Sequence, residues 1–233
     1  MNKKQTIKFI AGTDHVFSVR EKPVPATQFI PEWWKNIPPY SGGKFDLDPQ
    51  PTVTAKKCFP LLDGITAGYI VPMWADLLVS QEGGFPLVKW ATAEPVLEAW
   101  DFKQSSTYEI PDGFSKTVFK YLHGWIIETP ENYSCLITHP IGYPNLPFRT
   151  LTGVIDTDSL KTYANSPFVI KEGFEGIIEK GTPMFQIIPF KRDRWTSEYS
   201  VKETNENFFN TEKLHSRIVS SYGRWLRKPK EFK

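Results

Sequence analysis

Hydrophobic and polar positions along this chain alternate in short runs, many of them closed by glycine or proline. Runs rich in Val, Ile, Phe and Tyr fall at 52–57, 69–71, 76–80, 87–91, 117–121, 125–128, 133–138 and 150–156, and again at 168–171, 176–179, 184–190 and 198–202. Such runs read as strands. Their recurrence predicts a mainly β fold, a single compact β-clip or jelly-roll-like domain. Residues 6–10 and 16–20 predict a β-hairpin ahead of this body. Pro31-Glu32-Trp33-Trp34-Lys35 predicts a short helix, with Pro31 at its first position and Pro38-Pro39 ending it. Residues 40–51 read as a loop, and 61–68 as a turn of helix. Leu214, Ile218, Tyr222 and Trp225 share one helical face, which predicts an amphipathic helix over 212–227 packed on the sheet. No internal repeat divides the chain. The zones are 1–50, a β body over 51–203, and a C-terminal helix with a basic tail over 204–233.

Composition narrows the classes. The 233 residues are 40% hydrophobic and 15% aromatic, which suits a packed core and not a disordered chain. Net charge is +2. Arg224 to Lys233 holds Arg224, Arg227, Lys228, Lys230 and Lys233 against Glu231 alone, so the body is slightly acidic. That argues against nucleic acid as a partner except through the tail, which reads as solvated. Cys58 and Cys135 are too few for a disulfide framework and read as buried free thiols. The chain shows no apolar leader and no stretch long enough to span a bilayer. The expectation is a cytoplasmic protein, or one assembled into a particle made in the cytoplasm, with no membrane partner.

Familiar catalytic signatures are missing: no phosphate loop, dinucleotide turn, nucleophile elbow, Cys-x-x-Cys pair or His-x-Asp start of a facial triad. No cofactor and no metal is predicted. Of the four histidines, His15 falls in the expected hairpin turn and His215 on the last helix. His123 and His139 bracket a strand pair and read as satisfied polar side chains. Asp63 lies inside the apolar stretch 56–72. It must be paired, cap amides, of Ile65 and Thr66, or meet a ligand, with Trp33, Trp34 and Trp74 as an aromatic floor.

Three segments carry a family resemblance. Pro130-Glu131-Asn132-Tyr133-Ser134-Cys135-Leu136-Ile137, Gly153-Val154-Ile155-Asp156-Thr157-Asp158 and Lys180-Gly181-Thr182-Pro183-Met184-Phe185-Gln186 follow one another in the chain. Their order resembles that of the dUTPase and dCTP-deaminase superfamily, whose fold is the β-clip. The resemblance implies that Asp156 lies in a nucleotide site with Tyr133 in the preceding strand. The chain departs from that family at the phosphate loop, which 138–142 replaces, and in lacking its glycine-rich C-terminal arm. Over nearly its whole length, through PATQFIPEWWKNIPP, KKCFPLLDGITAGYIVP and GFEGIIEKGTPMFQIIPFKRDRW, the chain resembles a family of unknown function from tailed phages and some bacteria.

Two functions are expected: a binding or structural protein on a β-clip-like scaffold, phage-encoded, or a nucleotide-binding or nucleotide-processing protein. The candidate ligand residues are Asp156, Tyr133, His139, Arg149, Asp63 and Asp158. Residues 138–147 hold three prolines, Pro140, Pro144 and Pro147, which remove amides that a phosphate site would use, and this favours the first. The expected partners are a small molecule, a nucleotide or a sugar, and a second copy of the chain.

Overall fold

A computed structural model of the chain describes residues 5–42, 52–201, 227, 228 and 230–233. Strand far outweighs helix and the fold is mainly β. The larger sheet is antiparallel and runs Gly153–Ile155, Tyr133–Thr138, Pro183–Lys191, Tyr69–Pro72, Val24–Pro25. A second antiparallel sheet runs Phe148–Thr150, Ser166–Lys171, Phe114–Tyr121, Leu97–Ala99. A third takes Gly176–Ile178, Leu77–Glu82 and Phe85–Lys89, and Lys8–Ala11 pairs with Trp125–Glu128.

One apolar cluster joins these sheets in a sandwich-like arrangement. Val71, Ile137, Phe185 and Ile187 enter it from the larger sheet, Phe119, Tyr121, Phe148, Phe168 and Ile170 from the second, and Leu77, Val79 and Ile178 from the third. Each set sits at alternate positions of its strands, as the pleat requires. Pro183–Lys191 departs from alternation: its first five residues are all buried. The reason lies on its outer side, where Gln186 is roofed by the helix Phe59–Ile65 and the turn after it. Gln186 Nε2 donates to the carbonyls of Gly64 (3.1 Å) and Ala67 (2.6 Å), and its Oε1 accepts the Ile141 amide at 2.9 Å. No helix among the described residues is long and apolar enough to cross a membrane.

Most predicted strands are present, and 125–128 and 133–138 have the predicted bounds. Four expectations are corrected. Residues 16–20 do not form the second strand of a hairpin: Asp14–Val19 is a helix, because the Thr13 hydroxyl caps it by accepting the Val16 amide, and Lys8–Ala11 pairs across the chain instead. The run 150–156 is two strands in different sheets, Phe148–Thr150 and Gly153–Ile155, with Leu151 and Thr152 crossing between them. Only Thr52–Val53 of 52–57 is strand; Thr54 caps a 3-10 turn, Ala55–Lys57. Residues 198–201 are exposed and irregular. The strand Leu97–Ala99 was not foreseen. The Trp-bearing helix is Glu32–Asn36, and Pro31 stands just outside it as the capping residue. The helix expected over 212–227 lies outside the described residues, Arg227 excepted.

Candidate functional site

The residues singled out from the sequence separate into three places. Tyr133, Asp156 and Asp158 share one end of the larger sheet. There Arg192 closes over both carboxylates: it pairs with Asp156 at 3.2 Å and meets Asp158 through both terminal nitrogens. It also donates to the Tyr133 carbonyl and to Ser134 Oγ. Ser134 Oγ donates to Asp156 at 2.7 Å, and the Asn132 amide donates to Asp158 at 2.9 Å. The Asp158 side chain is 8% exposed, and Arg192 holds its carboxyl well below the usual range.

His139 lies at the other end of the same strand. Tyr133–Thr138 runs antiparallel to Gly153–Ile155, so Asp156 is level with Ser134 while His139 is about five residues, roughly 17 Å, further along. The His139 imidazole is tied to structure. Its Nδ1 accepts the Thr150 amide at 3.3 Å, which leaves Nε2–H to donate to the Tyr143 carbonyl at 2.9 Å. Burial lowers its pKa. Arg149 is exposed on the second sheet near His139, away from Asp156. His123 repeats the arrangement more deeply, with Nδ1 accepting the Trp125 amide and Nε2 facing the Ala164 carbonyl. Burial brings its pKa down to about 4.

Asp63 forms the third place. It caps neither amide suggested for it. Arg227 donates to its Oδ1 at 2.6 Å and Lys230 to its Oδ2 at 2.7 Å, so its pKa falls, chiefly through Arg227. These residues correct the reading of a solvated tail. Phe232 packs edge-on against Tyr69, and the tail is docked by charge and by an aromatic. Trp33 and Trp34 lie against each other beside the chain turn at Gly142, but Trp74 is elsewhere. Cys135 is buried, its thiol pushed up to about 11, whereas Cys58 is half-exposed, against the expectation that both are buried.

Trp74 leads to a site the sequence reading missed. It follows the strand Tyr69–Pro72, and the Tyr121 hydroxyl fixes it by accepting its amide at 2.8 Å while donating to the Pro72 carbonyl at 2.8 Å. Its indole N–H donates to the Leu122 carbonyl, which also accepts from Arg20 Nη1. The Arg20 guanidinium lies over the Trp74 ring, 4.5 Å from the centroid. Gly124, at φ +78°, makes room: a Cβ there would stand 2.5 Å from Arg20 Nη1. Glu94 accepts from Arg20 at 2.5 Å with one oxygen and meets His15 Nε2 at 2.6 Å with the other. Arg20 is the main reason its carboxyl stays below the ordinary range. The Arg20 side chain is 9% exposed, and its Nε–H is buried without a hydrogen-bond partner.

Two concavities flank this network and share Val19 and Lys180 as lining residues. One, of about 590 Å³, has a largely apolar floor of Trp74, Ala75, Ala91 and Ala93, with Glu94 and Asp76 at its rim. The other, of about 620 Å³, is lined by Arg20, Lys22 and Lys180 among its charged groups, against Glu21. Lys180 is held between them: Asp76 Oδ1 accepts its amide at 2.6 Å, and its Nζ pairs with Glu21 at 3.2 Å. Both volumes lie in the range of small-molecule sites. The sequence signals were weak. Ala91-Thr92-Ala93 is a run of small residues that leaves space, but Arg20 and Glu94 are 74 positions apart.

No protein-family model, curated protein or solved structure matches the chain.

Proposed function

We propose that this chain is a small-molecule binding protein whose ligand is an organic anion carrying a flat ring, of the nucleotide class. The observation that carries the reading is the pair of adjoining concavities of opposite character that meet at Lys180. In this reading the ring rests against Trp74 and the alanines, and its N–H groups donate to Glu94 and Asp76. The anionic group reaches Lys180 and Lys22. A neutral sugar would use the acceptors but not the cations, which favours a nucleotide between the two ligand classes expected from the sequence. The likeness of residues 130–190 to the dUTPase superfamily points to the same ligand class but to a site at Asp156, so it bears on the class of ligand and not on these concavities. The likeness to the phage family is the ground for proposing a phage origin, and it adds nothing on the ligand.

A thermal-shift series tests this, with nucleoside phosphates, free nucleosides, sugar phosphates and inorganic phosphate. A ligand at 100 times its Kd stabilises by about 2.7 kcal/mol. Nucleoside phosphates are expected to raise Tm more than either half alone, and Ala93→Phe, which fills the apolar concavity, removes the rise. Equal shifts in the wild type and in Ala93→Phe, or no shift with any compound, would overturn the reading.

A further inference from the structure

Among the described residues, nothing covers the outer face of the third sheet. In Leu77–Glu82 the inward residues Leu77 and Val79 are buried, while Leu78 is 52% exposed. Phe85 and Leu87 on the neighbouring strand and Ile177 on the other flank are exposed on the same face, at 56%, 38% and 59%. The register sets their order. Leu78 lies between Lys89 and Ile177, Ser80 opposite Leu87, and Glu82 opposite Phe85. The face therefore has an apolar, positive end at Leu78, Ile177 and Lys89, and an apolar, negative end at Phe85 and Glu82. The ends are about 14 Å apart, four residues at ~3.4 Å each. Neither Lys89 nor Glu82 has an ion-pair partner among the described residues.

We infer that this face binds a second copy of the chain about a two-fold axis through the Ser80–Leu87 pair. A two-fold reverses the strands, so it lays the positive end of one copy on the negative end of the other. The axis lies in the interface and crosses the strands, so Lys89 lies over Phe85 of the opposite copy and reaches Glu82 on the next strand, twice over. Leu78 lies over Glu82 and packs beside Phe85, and the two Leu87 side chains meet at the axis. The patch is complementary to itself in charge and in apolar area together. No other partner is needed to account for both, and four large exposed apolar side chains on one sheet face form the kind of patch that marks an interface.

Sedimentation velocity on the full chain tests it. The wild type is expected to show a reversible dimer at concentrations up to about 0.1 mM. Glu82→Lys and Lys89→Glu each place like charges together at two symmetric positions and should weaken association by about 10-fold or more. The double variant Glu82→Lys/Lys89→Glu restores both pairs with signs exchanged and should return to within about threefold of the wild type. Leu87→Lys should leave a monomer. All three positions are exposed, and a melting curve confirms that each variant is folded. A wild type that stays monomeric, a dimer indifferent to Leu87→Lys, or a double variant no better than the singles would each overturn the inference.

Discussion

Two of the arginine–carboxylate networks among the described residues, those at Asp158 and at Glu94, differ in what they leave open. At the Asp158 end, Arg192 spends its terminal nitrogens on Asp156, Asp158, Ser134 and the Tyr133 carbonyl. Asp158 is almost wholly covered. Its hydrogen bonds are filled from within, although Arg192 and Asp156 stay 37% and 64% exposed and a shallow concavity is lined by Asp156. At Glu94, Arg20 is as buried as Asp158, but one of its N–H groups is unpartnered, and the second Glu94 oxygen reaches an exposed histidine. Concavities lie on both sides. A closed network holds a fold together, whereas an open one has capacity left for something else. By that measure the carboxylate singled out by family resemblance is the structural one, and a pair with no signature is the better place to seek a ligand.

The contrast can be broken experimentally. The largest effect is expected from Arg192→Ala, which strands the covered Asp158 carboxylate without its partner. Tm should fall by several degrees while any ligand response survives. A lost response with unchanged Tm would reverse the two roles. Next comes pH. His123 belongs to the sealed interior, and its pKa drops from 6.5 to about 4 on folding. The unfolded chain therefore takes up a proton between pH 6.5 and about 4 that the folded chain refuses. Stability is intact above pH 6.5 and declines through that window, by roughly 3 kcal/mol for this residue, with His139 acting in the same direction. Chemical denaturation at pH 7 and pH 4.5 measures it, and His123→Gln should flatten the decline. A smaller effect is expected from Lys22→Glu in the open region: affinity for a nucleoside phosphate should fall about 10-fold with Tm unchanged, measured by titration calorimetry. The smallest is Asp156→Asn. Its side chain is 64% exposed, and the exchange should alter stability by less than about 0.5 kcal/mol. A large loss of binding in this variant would restore the site to Asp156.

Local pattern made the sheets readable and left the ligand site dark. Trp125–Glu128 and Tyr133–Thr138 follow from alternation with turn residues at both ends, and the bonding of Gln186 to backbone follows from a buried amide after Lys180-Gly181. Val16 to Arg20 misled because an apolar run says nothing of the hydroxyl three residues earlier, and Thr13 decides for helix. Thr150 to Asp156 misled because the chain changes sheets at Leu151 and Thr152 with no glycine or proline at either position. Arg20 and Glu94 carry no spacing that links them. Only the packing of the Asp14–Val19 helix beside Trp74 brings them together.

The order of strands in the larger sheet also sets a timetable. Pro183–Lys191 sits between Tyr69–Pro72 and Tyr133–Thr138, yet it is the last of the three to be synthesised. Lys8 waits 120 residues for Glu128. At ribosomal rates of about 5–20 residues per second, that wait alone is roughly 6–24 s. Until Pro183–Lys191 emerges, Tyr69–Pro72 and Tyr133–Thr138 each present an unpaired edge to their surroundings. The nascent chain spends most of its synthesis unable to close its own sheet, and its yield in a cell depends on what shields those edges in the interval.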